Sequence, residues 1–220
     1  MRRRKRRNLV KRIIRNCIFL TLLIVICEFA LDLFPEKANL DKGWNLILVN
    51  SSHQIPEGYT PELKEISDGK LVDKRIYEPL IEMMKAGAAA GFHMVVVEAY
   101  RTEDEQQTLM EQKVHSYVSE GYPKFIAKGI AKNWVAVPGT SEHQLGIAVD
   151  INPDYEKSGR EVYEWLSINA HEYGFICRYP EDKVKITGIQ NEPWHYRYVG
   201  ESAAKEMYEQ GLCLEEYLEE

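Results

Sequence analysis

Hydrophobic positions along the chain switch between two periods. From Asp73 to about Ala90, Ile76, Leu80, Met83, Met84 and Gly87 recur at helical spacing, which predicts a helix buried along one face. Next, "FHMVVVEAYR" (92–101) predicts a buried strand. "TEDEQQTLMEQKVHSYVSEG" then predicts a helix with Thr102 as its N-cap, acids in its first turn and Gly121 at its end. Glu161 to Tyr173 predicts another helix, stopped by Gly174, and Glu201 to Gln210 a closing one. Strands are predicted for "WNLILV" (44–49), Ile147 to Ile151, "FICRYP" (175–180), "KVKITGI" (183–189) and "WHYRYVG" (194–200). These elements mix without a regular βαβ rhythm, and the strands near the C-terminus follow one another directly. The expected fold class is therefore α+β, a central and mainly antiparallel sheet with flanking helices. No glycine-rich phosphate loop follows a strand, so nucleotide binding has no support.

Charge divides the chain in two. Residues 2–15 carry nine Lys/Arg and no acid, leaving 19 basic against 34 acidic residues, near −15, for the remainder. An acidic body argues against nucleic-acid binding, which needs a basic face. After the basic run comes "NCIFLTLLIVICEFALDLF", whose apolar stretch from Cys17 to Cys27 is 11 residues long. That is short for a span of roughly 20 residues and also fits the core of a signal peptide. The expected organisation is a basic cytoplasmic tail (1–15), a transmembrane anchor or signal segment (16–34), a polar linker (35–43) and one folded domain (44–220). Positive charge ahead of an apolar run puts the domain outside the cytoplasm, held at the cell membrane or secreted after cleavage. Of the four cysteines only Cys177 and Cys213 belong to the domain, as one disulfide or two free thiols; with no Cys-x-x-Cys pair, a thiolate zinc knuckle is excluded.

The chemistry is concentrated in three short stretches. In "SEHQLGIAVD" (141–150), alternation along a strand puts Ile147, Val149 and Ile151 on an apolar face and Ala148 and Asp150 on the other. Gly146 permits a turn that brings His143 to the side of Asp150. An imidazole and a carboxylate are both good zinc ligands, but a catalytic site commonly takes three protein ligands. "NEPWHYRYVG" (191–200) offers the third, His195, and a general base, Glu192. Residues three apart on a regular strand face opposite sides, so the backbone must bend at Glu192–Pro193 for both to meet a metal. In "VVVEAYRTEDEQQ", Arg101 stands where a strand gives way to a helix. Its permanent charge could stabilise an oxyanion, and Gln106 one turn later could donate to a substrate carboxylate. Trp194, beside His195, is a candidate pocket wall.

Together, Ser-x-His-x-x-Gly-x-Ala-x-Asp, the downstream "EPWH" and the upstream "YR" with its Gln resemble the zinc D-alanyl-D-alanine carboxypeptidases of the VanY type, which group with the lysostaphin and sonic hedgehog zinc folds. The resemblance spans roughly residues 44–200. It implies one zinc ion on His143, Asp150 and His195, with Glu192 as the base and Arg101 on the carbonyl oxygen. Ser141 and Gln106 would help hold the terminal carboxylate of a peptidoglycan stem peptide ending in D-Ala. A role in glycopeptide resistance follows from the resemblance alone. Two departures stand out: Asn191 where an aromatic residue is expected, and Glu98–Ala99 where a small pair is more usual.

Other readings remain open at this point. The same fold would suit an L,D-carboxypeptidase or a D,D-dipeptidase, or a wall-binding or sensing module without catalysis. A serine-dependent carboxypeptidase would instead use "SDGK" (67–70), "SIN" (167–169) and "KITG" (185–188), although Gly69 is a poor start for the helix its nucleophile needs.

Overall fold

The computed structural model describes residues 36–67, 69–154 and 159–219. The basic tail and the apolar segment lie outside them. Among the described residues no helix is long and apolar enough to cross a membrane.

The domain is built on a four-stranded sheet. After a hairpin of β1 (Leu63–Glu65) and β2 (Leu71–Asp73) come β3 (Met94–Glu98), β4 (Ala148–Pro153), β5 (Phe175–Tyr179) and β6 (Glu192–Tyr198). The order β3-β4-β6-β5, with every pair antiparallel, is the expected α+β arrangement. The helices are α1 (Tyr77–Ala89), α2 (Glu103–Ser119), α3 (Lys124–Ala131), α4 (Gly159–Asn169), α5 (Val184–Thr187), α6 (Glu201–Gln210) and α7 (Leu214–Glu219).

Alternation along β4 divides the domain. Val149 and Ile151, with Ile147 just before them, are fully buried against Leu80 and Met83 of α1 and Val162 and Leu166 of α4. Each such side chain contributes about 1.5–3 kcal/mol by leaving water. The opposite face of the same strand carries Asp150 and looks into a cleft. A second apolar cluster joins Ile176 of β5 and Val199 to Ala203, Ala204 and Met207 of α6 and Leu214 of α7. Helix α2 forms where expected. The Thr102 hydroxyl accepts from the Glu105 amide (3.3 Å) and the Glu105 carboxylate accepts from the Thr102 amide (2.8 Å), the reciprocal capping box. Only Gln106 and Met110 of this helix are buried, so the cap and those two residues fix its start.

Several expectations are corrected. "WNLILV" is not a strand: Ile47 and Val49 are buried, but the carbonyls of Asn45 and Ile47 are taken by the Arg197 guanidinium at 3.1 and 2.8 Å rather than by a neighbouring strand. "KVKITGI" forms a short 3₁₀ turn and α5, ended by Gly188 at φ +72°; its β-branched residues have no sheet to pack on, and Ile186 is exposed. The first helix begins at Tyr77, because Asp73 closes β2, donating its amide to the Gly146 carbonyl (2.8 Å) while its side chain accepts from the Arg75 amide (2.9 Å). Strand β3 is an edge rather than a buried strand, with Val95 and Val97 exposed. Helix α3 carries no side-chain N-cap, which left it without a start signal in the sequence. Cys177 and Cys213 are free thiols.

Gly174 tests the packing of this frame away from the cleft. It ends the 3₁₀ turn after α4 at φ +80°, and a Cβ there would sit 2.8 Å from the Tyr198 ring and 3.0 Å from backbone of Gly200 and Glu201. Gly174→Ala is expected to cost about 1–3 kcal/mol. At roughly 2–4 °C per kcal/mol for a chain of this size, Tm falls by about 2–12 °C. An unchanged Tm in a thermal melt followed by circular dichroism would refute the tight approach.

Candidate metal centre and active-site cleft

Sheet register builds the centre. β4 and β6 pair Asp150 directly opposite His195, with Val149 opposite Tyr196 and Ala148 opposite Arg197. His143 enters from the 3₁₀ turn Glu142–Leu145, which Gly146 reverses at φ +73° into β4. The left-handed Gly146 is also crowded, since a Cβ would meet the Asp73 amide at 3.1 Å. Both expected devices are therefore present, the alternation of β4 and the turn before it.

The bend at Pro193 is present too. Between the pairs Cys177–Tyr196 and Tyr179–Glu192, two steps along β5 span four along β6, so the chain bulges around Pro193, which has no amide proton to give the ladder. The bulge brings Glu192 to the side of His195, with Oε2 at 3.9 Å from Nδ1.

Three ligand atoms converge. Asp150 Oδ1 lies 3.4 Å from His143 Nε2 and 3.0 Å from His195 Nδ1, and the three residues offer atoms all within 4.8 Å of one another. A tetrahedral zinc with bonds of about 2.0–2.1 Å separates its ligand atoms by roughly 3.3 Å. Asp150 Oδ1 is buried and has no hydrogen-bond partner among the described residues, as expected of an oxygen aimed at a cation. His143 Nδ1 donates to the Ala99 carbonyl at 2.8 Å, which leaves Nε2 bare for a metal. The donor set of two imidazoles and one carboxylate fits zinc.

Electrostatics follow from burial and the local charges. Burial opposes ionisation of Asp150, but the charge of the two imidazoles outweighs it and holds its carboxyl below the usual range. For His195, burial opposes the cation, while the Asp150 and Glu142 carboxylates push its pKa up to about 9. Glu192 is pushed up to about 7, chiefly by burial, with Asp150 and Glu142 adding to the rise and His195 and Arg101 opposing it.

The cleft above these atoms has a volume of about 190 Å³. All eight residues picked from the sequence line it: Arg101, Gln106, Ser141, His143, Asp150, Glu192, Trp194 and His195. Arg101 is not paired with the first-turn acids. Its Nη2 donates to Glu98 (2.8 Å) and its Nη1 to Gln106 Oε1 (2.8 Å), so the unusual Glu98 has a place as an anchor for the guanidinium. Gln106 Nε2 donates to the Ala136 carbonyl at 2.7 Å, so both ends of this amide are engaged within the protein. The serine-dependent pattern is not assembled: Ser67 lies in the β1–β2 turn, not on a helix, and "KITG" falls on α5.

Sequence reasoning missed the buried charges behind the centre. Glu142 accepts from Arg178 Nε at 2.8 Å and from Arg197 Nη1 at 2.6 Å, and Arg178 also grips Glu215 of α7 through both carboxylate oxygens at 2.7 and 2.8 Å. Burial opposes ionisation of Glu142, and the two guanidinium groups overcome it, holding its carboxyl well below the usual range. The available signal was an arginine inside each of two otherwise apolar and aromatic strands, "FICRYP" and "WHYRYVG". Trp134 and Tyr179 of the cleft wall, the latter with its ring 4.9 Å from that of His195, gave no such signal.

Comparison with known proteins agrees with this geometry. The family model described as "VanY: D-alanyl-D-alanine carboxypeptidase" matches residues 69–201. A D-alanyl-D-alanine carboxypeptidase of Enterococcus faecalis is 52% identical over 179 residues, covering 81% of this chain and 67% of its own length. Among solved structures, a mutant of a vancomycin-resistance D,D-pentapeptidase VanY from a VanB-type cassette, in complex with Zn(II), is 54% identical. It superposes with a TM-score of 0.78 over 80% of this chain and 99% of that one. VanYB in complex with D-alanine-D-alanine gives the same identity and score, over 80% and 98% of the two chains. Residues 69–201 contain every residue placed at the cleft, and the chain belongs to the VanY family of D-alanyl-D-alanine carboxypeptidases.

Proposed function

We propose that this chain is a zinc-dependent D,D-carboxypeptidase that removes the C-terminal D-alanine from peptidoglycan stem peptides, and that it contributes in this way to glycopeptide resistance. One observation carries the reading: His143 Nε2, Asp150 Oδ1 and His195 Nδ1 converge at the floor of a cleft with Glu192 beside them and Arg101 on its wall. Such a cleft is small against the roughly 300–1,000 Å³ of a drug-sized ligand pocket, so it suits the end of a peptide, with the rest of the stem outside.

When bound, the zinc supplies Lewis acidity, polarising the scissile carbonyl and making water a better nucleophile near neutral pH. Glu192, buried beside the ligands, takes the proton of the attacking water and returns it to the departing D-alanine amine, so the peptide bond is replaced by a carboxylate and an amine. Arg101, held by Glu98 and Gln106, keeps N–H groups for the oxyanion that develops on the carbonyl oxygen. Buried Ser141 offers its hydroxyl to the terminal carboxylate, and Gln106, anchored on the Ala136 carbonyl, sets the position of Arg101. Trp194 forms part of the wall of the site. In the cell the domain works at the outer face of the membrane, a placement supported by the nine basic residues ahead of the apolar run.

Product analysis by mass spectrometry on defined peptides tests the reaction. Peptides ending in D-Ala-D-Ala are expected to lose one residue and those ending in L-residue-D-Ala to remain intact. Dialysis against a chelator should stop turnover and added zinc restore it. Release from none of the peptides, or turnover indifferent to the chelator, would sink the proposal.

Glu192→Gln should lower kcat by roughly 10²–10⁴-fold while zinc content by elemental analysis stays at one ion per chain. A variant with near wild-type kcat would remove Glu192 from the proton transfer.

Arg101→Lys keeps the charge but loses the fork that Glu98 and Gln106 grip, and kcat should fall by roughly 10²–10³-fold. A rise in KM alone would instead make Arg101 a binding residue that does nothing for the transition state.

A further inference from the structure

We infer that Glu142 is a positioning residue for His195, and that helix α7 supports the metal centre through it; the inference rests on the zinc site proposed above. Glu142 is 2% exposed and immediately precedes His143 in the 3₁₀ turn. Its Oε1 is occupied by Arg178 and Arg197. Its Oε2 is buried and has no hydrogen-bond partner among the described residues, and the same holds for His195 Nε2. These two atoms lie 3.5 Å apart. Leaving a buried donor or acceptor unpaired costs about 1–3 kcal/mol, and an approach of a few tenths of an ångström satisfies both.

That pairing has a chemical consequence. His195 turns Nδ1, not Nε2, toward Asp150 Oδ1. To ligate a cation through Nδ1 the neutral ring must carry its proton on Nε2. Glu142 Oε2 is the acceptor that selects this tautomer, as the Ala99 carbonyl does for the opposite tautomer of His143. A carboxylate acceptor also makes the ligating nitrogen more basic and fixes the ring plane.

The carboxylate is held from behind. Arg197 is fixed by the Asn45 and Ile47 carbonyls, and Arg178 by the bidentate grip of Glu215 on α7. A buried line Glu215–Arg178–Glu142–His195 thus runs from the last helix to a metal ligand. Loss of Glu215 frees Arg178 to shift and moves Oε2 relative to the imidazole.

Zinc dissociation constants by chelator competition on the full chain, with absorption spectra of the Co(II)-loaded protein, test this without any substrate. Glu142→Gln should weaken zinc binding by about 10–100-fold and alter the Co(II) d–d bands. Glu215→Gln should shift both readouts in the same direction by less. Gly174→Ala, which lowers Tm outside this line, should bind zinc like the wild type. The inference is overturned if Glu142→Gln binds zinc as the wild type does, or loses no more affinity than Gly174→Ala. Where Glu142→Gln does not fold, the same comparison made with Glu215→Gln decides. A wild type that binds zinc but releases no D-alanine would sink the reaction and leave this inference to be decided by the affinities.

Discussion

The pairing of Asp150 with His195 across β4 and β6 is the constraint on which the site depends. Strand side chains alternate with a period of two, so a slip of one residue would turn Asp150 into the core and Val149 toward the metal. What prevents the slip is the other face, where Ile147, Val149 and Ile151 are fully buried against α1 and α4. Core burial and ligand placement are thus one requirement expressed on two faces of one strand. The turn that delivers His143 is fastened to the same frame. The Asp73 amide donates to the Gly146 carbonyl at 2.8 Å and the Tyr198 amide to the Ile147 carbonyl at 2.9 Å.

Behind the ligands the protein buries two guanidinium groups and two carboxylates, Arg178, Arg197, Glu142 and Glu215. Desolvating each charge costs several kcal/mol, and mutual attraction offsets this only with good geometry and every proton placed. The geometry here is bidentate at Glu215 and doubly bonded at Glu142 Oε1, and three further Arg197 protons go to the Tyr198, Asn45 and Ile47 carbonyls. Replacement of such a group by packed apolar residues would often serve stability equally well. Its value must therefore be sought in what it does for its neighbours. The group joins the segment around residue 47, the sheet and α7 at one point directly under His195.

Much of this was legible in the sequence, and the reasons differ by element. The face alternation of β4, the left-handed Gly146 and the need for a bend at Pro193 are local rules of backbone geometry, and all three hold. The capping box of α2 is equally local. The failures occurred where tertiary contacts overrode a local preference. "WNLILV" has strand propensity, yet Arg197 claims its carbonyls; "KVKITGI" has it too, yet no strand neighbour is offered and Gly188 closes a helical turn. Glu142 was hidden for the same reason. Its motif position says only that a polar residue stands between Ser141 and His143, whereas its partners come from strands 36 and 55 residues further along the chain.

The cleft divides into a part that varies at high cost and a part that does not. Its floor is the sheet register, where any change of ligand position also disturbs the core. Its walls are the start of α2, residues 134–136, and Ile189 to Trp194, the last three of which open β6. Gln106 ties two walls together, receiving Arg101 on one side and bonding Ala136 on the other. Glu98 adds a carboxylate to Arg101 from the edge strand β3, where its side chain is 37% exposed and costs little to hold. Substitutions at Trp134 or Trp194 can therefore reshape the space around a peptide's end, and one at Glu98 retune Arg101, while His143, Asp150 and His195 keep their places. The metal ligands Asp150 and His195 are set by strand pairing, whereas Arg101, Gln106 and Trp134 of the wall stand on segments outside the sheet.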